Sequence, residues 1–338
     1  MSADLPYADR IAAVLPDRPT LVVVVDTEEE FDWLAPFSRQ ATTVTAMRHI
    51  DRTQRLCEAV GIAPTYVIDY PVATQPRGYE MISEWAKIGR CDIGAHLHPW
   101  VTPPFEEALN GPNSFMCNLS PALQQSKMRE LCHAIVANTG AEPRVFKAGR
   151  YGIGRDGLAL FDDLGLVVDV SVNPCMNFSP ENGPDFSSFD SFPFWIDRSR
   201  RLLEVPCTHG FVGWARRQGL GLRRAADSVR VLRGPGILSK LGAVNRVMLS
   251  PEGNTLDEMI ALTRALLNDG LTLFSMTFHS PSVEPGHTPY VRSQADLATF
   301  LTTIERYFEF FFGELEGQPS TPERFRQDLL GRSSITQV

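Results

Sequence analysis

The chain has 338 residues, a net charge of −8 and 43% hydrophobic residues. That is enough for a large core, and it leaves no basic excess to displace counterions from nucleic acid or an anionic membrane. The 25 prolines and 25 glycines predict many loops without implying a fibrous or disordered chain. No apolar run approaches the ~18 residues of a transmembrane helix. The six cysteines are scattered with no CxxC, so neither a zinc ribbon nor a disulfide scaffold is expected. The opening MSADLPYADR lacks a basic stretch followed by an apolar one, and a cytoplasmic location is the expectation.

Residues 1–19 read as an arm ending at the breakers Pro16 and Pro19. Leu21 and the four valines after it form an unbroken β-branched run, the pattern of a strand buried on both faces of a parallel sheet. The run leads into Asp26, Glu28, Glu29, Glu30 and Asp32, and period-two pleating points Asp26 and Glu28 the same way. A helix over 39–60, a strand over 64–69 and a helix over 79–88 follow. The strand at 90–98 ends on His96 and His98. An irregular loop rich in Pro, Asn and Gly spans 99–121, a length usually kept for function, and a helix over 121–138 follows it. A strand over 145–150 ends at Arg150, a helix covers 155–164, and a strand over 166–170 carries Asp169. Beyond a loop at 173–201 come a strand at 202–206, a basic helical stretch at 222–232 and an additional strand at 244–249. A helix over 256–267, a last strand over 271–278 that ends on His279, and a helix over 295–312 complete the pattern. Residues 313–338 read as a frayed polar tail.

Strands alternating with helices call for a parallel sheet. Their recurrence over 20–312 without a linker favours one closed barrel over an open sheet. Asp26, Glu28, His96, His98, Arg150, Asp169 and His279 all fall at or just after C-terminal strand ends, which converge on one face of a barrel. Two histidines and a carboxylate are a common ligand set for a catalytic divalent ion, so Glu28, His96 and His98 are the expected ligands and zinc the expected metal. Asp26 is then the acid free to take a proton from water, and His279 the general acid opposite it. Arg150 is expected to hold Asp26 charged and oriented, and Asp169 to fix the tautomer of His279. Trp100, Phe105, Phe115 and Trp214 are the aromatic loop candidates for substrate contact.

The series Asp26-Thr27-Glu28, Gly94-Ala95-His96, Phe146-Lys147-Ala148-Gly149-Arg150-Tyr151-Gly152, Asp169 and Leu273 through His279-Ser280 resembles the polysaccharide deacetylase family, also called the NodB-homology or carbohydrate esterase 4 family. The resemblance spans about residues 20–312. It implies a distorted (β/α)7 barrel and metal-dependent removal of an N- or O-acetyl group, typically from an amino sugar of chitin, peptidoglycan or a related glycan. Asp26 matches the general base of the family, Arg150 the arginine orienting it, His279 the general acid and Asp169 the aspartate supporting that acid. The loop at 151–154, beginning with Tyr151, is the expected source of substrate contacts and an oxyanion-binding N–H. Two departures stand out. Thr27 occupies the place of a second adjacent aspartate, and the position four after His96 is Trp100 where the family has its second histidine.

Two other readings compete. The same barrel acting on a small amide or cyclic ureide would show a pocket closed by residues 100–121 and 173–200. A catalytically silent barrel binding sugar or protein would have His98 pointing away and no ion between Glu28 and His96.

Overall fold

The computed structural model describes residues 11–196, 198–216 and 244–335. The valine run forms β2 (Thr20–Thr27), buried along its whole length. Around it the chain lays down β3 (Thr65–Ile68), β4 (Asp92–Leu97), β5 (Val145–Ala148), β6 (Val168–Asp169), β8 (Leu203–Glu204) and β11 (Leu273–His279). Each of these is parallel to its neighbour, in the order β8-β6-β5-β4-β3-β2-β11, so seven parallel strands make the body of a ten-stranded sheet. The ends of the curled sheet approach through irregular backbone. Cys207 N bonds to Val172 O (2.9 Å), Thr208 N to Ser275 O (3.4 Å) and Thr277 N to Leu249 O (3.1 Å). This is the distorted barrel that the motif series implied.

Strand pleating sorts side chains between two apolar layers. Leu21, Val23 and Val25 join Phe146, Phe274, Met276 and Phe278 on the face covered by helices. These helices are α1 (Asp51–Ala59), α2 (Tyr70–Thr74), α3 (Pro76–Lys87), α4 (Pro121–Thr139), α5 (Arg155–Ala159), α6 (Phe161–Leu164), α7 (Leu256–Asn268) and α8 (Gln294–Phe308). Val22 and Val24 join Val67, Val145, Val168, Leu203 and Leu273 on the inner face. Carried upward by the same period of two, the inner face of β2 arrives at Asp26, that of β4 at His96, that of β5 at Lys147 and that of β11 at His279.

The structure corrects several expectations. The arm supplies β1 (Ile11–Ala12), antiparallel to β7 (Phe194–Trp195) at the sheet edge. The helix expected from residue 39 starts later, with a 3-10 turn at Thr45–His49 before α1. Glu30 takes both Thr45 Oγ1 and Ala46 N as donors, which ties the segment to the acidic loop and sets where the turn begins. The tail is not frayed. It forms β12 (Gln318–Pro319), parallel to the start of β2, and α9 (Pro322–Ile335), whose Phe325 and Leu329 close the base of the inner layer. The additional strand, β10 (Asn245–Met248), pairs antiparallel with β9 (His209–Val212) outside the main sheet. The basic stretch at 222–232 lies outside the described residues.

Candidate active site

At the C-terminal end of the inner face, residues from seven segments surround a cavity of about 540 Å³. Its floor holds Glu28, His96 and His98, all buried. His96 Nδ1 lies 3.0 Å from Lys147 O and His98 Nδ1 lies 2.8 Å from Glu29 Oε2. The Lys147 carbonyl only accepts, and so does Glu29 in its ionised form, in which each Nδ1 carries the proton and each Nε2 presents a bare lone pair. Both Nε2 atoms stand 3.4 Å from Glu28 Oε2. The remaining Glu28 oxygen, Oε1, is buried without any partner.

Two imidazole lone pairs thus converge on a carboxylate oxygen of Glu28, whose pKa burial raises against the pull of His279 and His96. That arrangement is repulsive by itself and fits a cation, since two ligands each about 2.1 Å from a tetrahedral ion stand about 3.4 Å apart. Donation from the far ring nitrogens to a carbonyl and a carboxylate is the outer-shell pattern of ligating histidines. Burial lowers the pKa of both rings, that of His98 to about 4, and so keeps the lone pairs available at neutral pH. The HxH spacing closes because His98 sits just past β4, on the same side of the backbone as His96, with ring centroids 4.5 Å apart. Its ring enters a space that only a glycine leaves open: a Cβ at Gly149 would lie 2.4 Å from His98 Cδ2 and 2.7 Å from Leu97 O.

Beside this group, Asp26 is held by Lys147, whose Nζ donates to both carboxylate oxygens at 2.7 Å and to Thr277 Oγ1 at 3.0 Å. Burial pushes the Asp26 carboxyl up, but Lys147, His96 and His279 outweigh it and hold the group below its ordinary 3.8. His279 Nε2 faces Asp26 Oδ2 at 3.7 Å, and its Nδ1 donates to Glu252 Oε2 at 2.7 Å. Burial works against the imidazolium; Glu252, followed by Glu28 and Asp26, overcomes it and raises the pKa to about 10. Glu252 is itself fixed by the His279 N–H and by Ser282 Oγ.

Two expected contacts are not formed. Arg150 does not reach Asp26. It stands two residues beyond the last strand residue with φ of 53°, which turns its guanidinium to the rim, where it meets Glu181 and Ser114 Oγ over the Phe115 ring. Lys147, three residues earlier and on the inner face, occupies the place assigned to it. Asp169 does not reach His279, because it alternates with Val168 and so lies on the helix-covered face, opposite Glu204 in register. Glu252, in the turn after β10, supports His279 instead. A buried lysine in an apolar strand was a visible signal for Lys147; nothing in the sequence marks Glu252.

The aromatic candidates also divide. Trp100 and Tyr151 line the cavity. Trp100 stacks on His98 with centroids 4.2 Å apart, and its Nε1 donates to Glu29 Oε1, so it braces the ligand more than it offers a free face. Phe105 packs under Arg39 and Lys127, Phe115 is buried beneath Arg150, and Trp214 is 82% exposed; none of the three lines the cavity. Phe31, Trp33, Phe37, Phe178 and Tyr290 form the aromatic wall that sequence reading missed. Of the expected oxyanion donors, the Gly152 and Ile153 amides are already bonded to Gly149 O and Tyr151 O.

Neither a protein-family model nor a curated protein sequence matches the chain. Among solved structures, a Mycobacterium smegmatis protein assigned as a polysaccharide deacetylase is similar at a TM-score of 0.54 and 14% identity, over 96% of this chain and 95% of that one. Also similar are the Xyl-CE4 domain of a multidomain xylanase from the hindgut metagenome of Trinervitermes trinervoides (TM-score 0.43, 7% identity, 92% and 91% covered) and the Bacillus subtilis peptidoglycan deacetylase PdaC (0.43, 8%, 96% and 97%). No helix among the described residues is long and apolar enough to cross a membrane. With seven parallel strands, a carboxylate and two histidines converging at their C-terminal ends, and end-to-end overlap with the mycobacterial structure, the chain has the polysaccharide deacetylase fold.

Proposed function

We propose that the chain is a metal-dependent hydrolase that removes an acetyl group from an acetylated saccharide. The observation that carries this reading is the convergence of the bare lone pairs of Glu28, His96 and His98, flanked on one face by an ionised Asp26 and a charged His279. A divalent ion on those three ligands, zinc by the nature of the donor set, would polarise the acyl carbonyl and acidify a water. Asp26 is the base that receives the water's proton, kept anionic and in one orientation by Lys147. His279 delivers a proton from Nε2 to the leaving nitrogen or oxygen as the acyl bond breaks, while Glu252 holds its other nitrogen. The Trp33 ring stands edge-on to His279, with centroids 4.8 Å apart, and lines the cavity beside it.

The cavity favours a compact substrate. Asn173, Met176, Phe178 and Glu181 wall one side of it, and about 540 Å³ lies within the range of roughly 300–1,000 Å³ typical of small-molecule sites. The same wall gives the second reading, a small amide or cyclic ureide, its support, so both classes belong in the test. Purified protein is analysed for bound metal and assayed for acetate release from N- and O-acetylated sugars, and for ring opening of ureides. One divalent ion per chain and acetate release are expected, with Asp26→Asn retaining the ion and losing at least ~100-fold in turnover. Protein without an ion and without turnover would favour the silent barrel, and full turnover by D26N would remove the base.

A further inference from the structure

One part of the cavity wall plays no role in the chemistry above. Asn173, in the loop after β6, and His209, the first residue of β9, both line the cavity while only 3% and 7% exposed. They are joined by a single hydrogen bond, His209 Nδ1 to Asn173 Oδ1 at 2.7 Å. That leaves His209 Nε2 and Asn173 Nδ2 with no hydrogen-bond partner among the described residues. Neither atom is among the fully enclosed ones, so both reach the cavity surface. The backbone around them is firmly placed: His209 N and O both bond to Ser191 Oγ, and His209 pairs in register with Met248.

Two otherwise buried side chains thus present polar atoms only to the cavity, where a bound ligand in place of water must match them or lose their hydrogen bonds. The chemistry of that ligand follows from the pair. With Nδ1 donating to the amide oxygen, Nε2 accepts and Nδ2 donates. If the amide is turned over, Nε2 donates and Oδ1 accepts. Either way the wall presents one donor and one acceptor side by side, the complement of a group that does both. Burial and the neighbouring Arg246 hold the His209 ring neutral, with a pKa of about 3, so the pair does not become a cation that would select an anion.

We propose that Asn173 and His209 are a specificity-determining pair that recognises one ring hydroxyl of the substrate, accepting from and donating to the same oxygen. This rests on the saccharide reading above, and a binding measurement separates the two. Methyl glycosides of N-acetylglucosamine, N-acetylgalactosamine and N-acetylmannosamine, with their monodeoxy analogues, are titrated into the full-length metal-loaded protein by calorimetry, and acetate release is followed in parallel. At least one glycoside binds wild type, and His209→Phe and Asn173→Leu each weaken it about 5- to 100-fold, with kcat within about threefold. One monodeoxy analogue binds wild type as weakly as the parent sugar binds H209F, and H209F costs that analogue nothing further. His209→Gln, which keeps both a donor and an acceptor, restores most of the affinity, so a folding defect is not mistaken for loss of recognition. Binding without acetate release would sink the deacetylase reading and leave the pair standing. Equal affinity of wild type and H209F for every glycoside, or no binding of any by wild type, overturns the pair.

Discussion

The carboxyls of Asp169 and Glu204 stand opposite each other where β6 and β8 pair, both fully buried. Ser171 Oγ donates to Asp169 Oδ1 at 2.5 Å and Val172 N to Glu204 Oε1 at 3.0 Å. The other two oxygens, Asp169 Oδ2 and Glu204 Oε2, have no donor. Two adjacent buried carboxylates do not both ionise, so one proton is shared between them. Burial raises Asp169 to about 6, and burial together with the charge of Asp169 raises Glu204 well above its ordinary 4.5. Glu204→Gln keeps an oxygen for Val172 N and supplies a permanent N–H to Asp169 Oδ2. In wild type, unfolded Glu204 ionises near pH 4.5 while folded Glu204 keeps its proton, so folding takes up a proton and stability is lost as pH rises toward the folded pKa. The linkage slope is about 1.4 kcal/mol per pH unit for one proton, and the glutamine chain lacks it. Above pH 6, as Asp169 becomes ionised, the stability advantage of E204Q should therefore grow with pH, at up to about 1.4 kcal/mol per unit, until folded Glu204 itself ionises. Urea unfolding at half-unit pH intervals, with the slope m checked for constancy, measures it. Parallel pH curves for the two proteins would refute the shared proton.

Lys147→Met should strand a buried Asp26 charge, costing about 3–5 kcal/mol in urea unfolding or protonating the carboxyl, and cutting turnover by at least ~100-fold. Arg150→Met removes contacts made mainly at the rim, so stability should change by no more than about 1 kcal/mol, with the effect appearing in KM rather than kcat; the opposite ranking of these two variants would restore Arg150 as the residue orienting the base. Gly149→Ala should expel the His98 ring and with it the metal, read by elemental analysis, whereas Gly111→Ala, with open space around its Cβ, should leave metal content unchanged.

Much of this site was legible because side-chain parity is rigid in a strand. From Val22 and Val24 the period of two leads directly to Asp26 and on to Glu28, and from Gly94 to His96 and His98. The same rule explains both failures. Asp169 is one residue out of phase with Val168, so a strand-end position that looked equivalent to the others faces the helices. Arg150 is three residues after the inward-facing Lys147 and so out of phase with it, and beyond the end of β5 positive φ at Arg150 and Tyr151 turns the chain to the rim, so a strand-end position alone did not bring it to Asp26. Glu252 was beyond reach for another reason: it arrives from a turn beside the two-stranded β9–β10 sheet, whose packing no local pattern announces.

The two departures from the family motif prove to be one arrangement. Trp100, standing four residues after His96, sends its indole N–H to Glu29 Oε1, and His98 Nδ1 uses Glu29 Oε2. Stacked on His98, the indole leaves that ring one plane to occupy, and in that plane Nε2 faces Glu28. Four of the five acids from Asp26 to Asp32 are consequently tied into the site and its supports. Asp26 answers Lys147, Glu28 faces the two imidazoles, Glu29 orients His98, and Glu30 sets the turn at Thr45 and Ala46. A histidine moved from the fourth position to the second needs a bulky neighbour to aim it and an acid to fix its tautomer. This chain supplies both within the same two loops, which is why the shortened spacing can still close on Glu28.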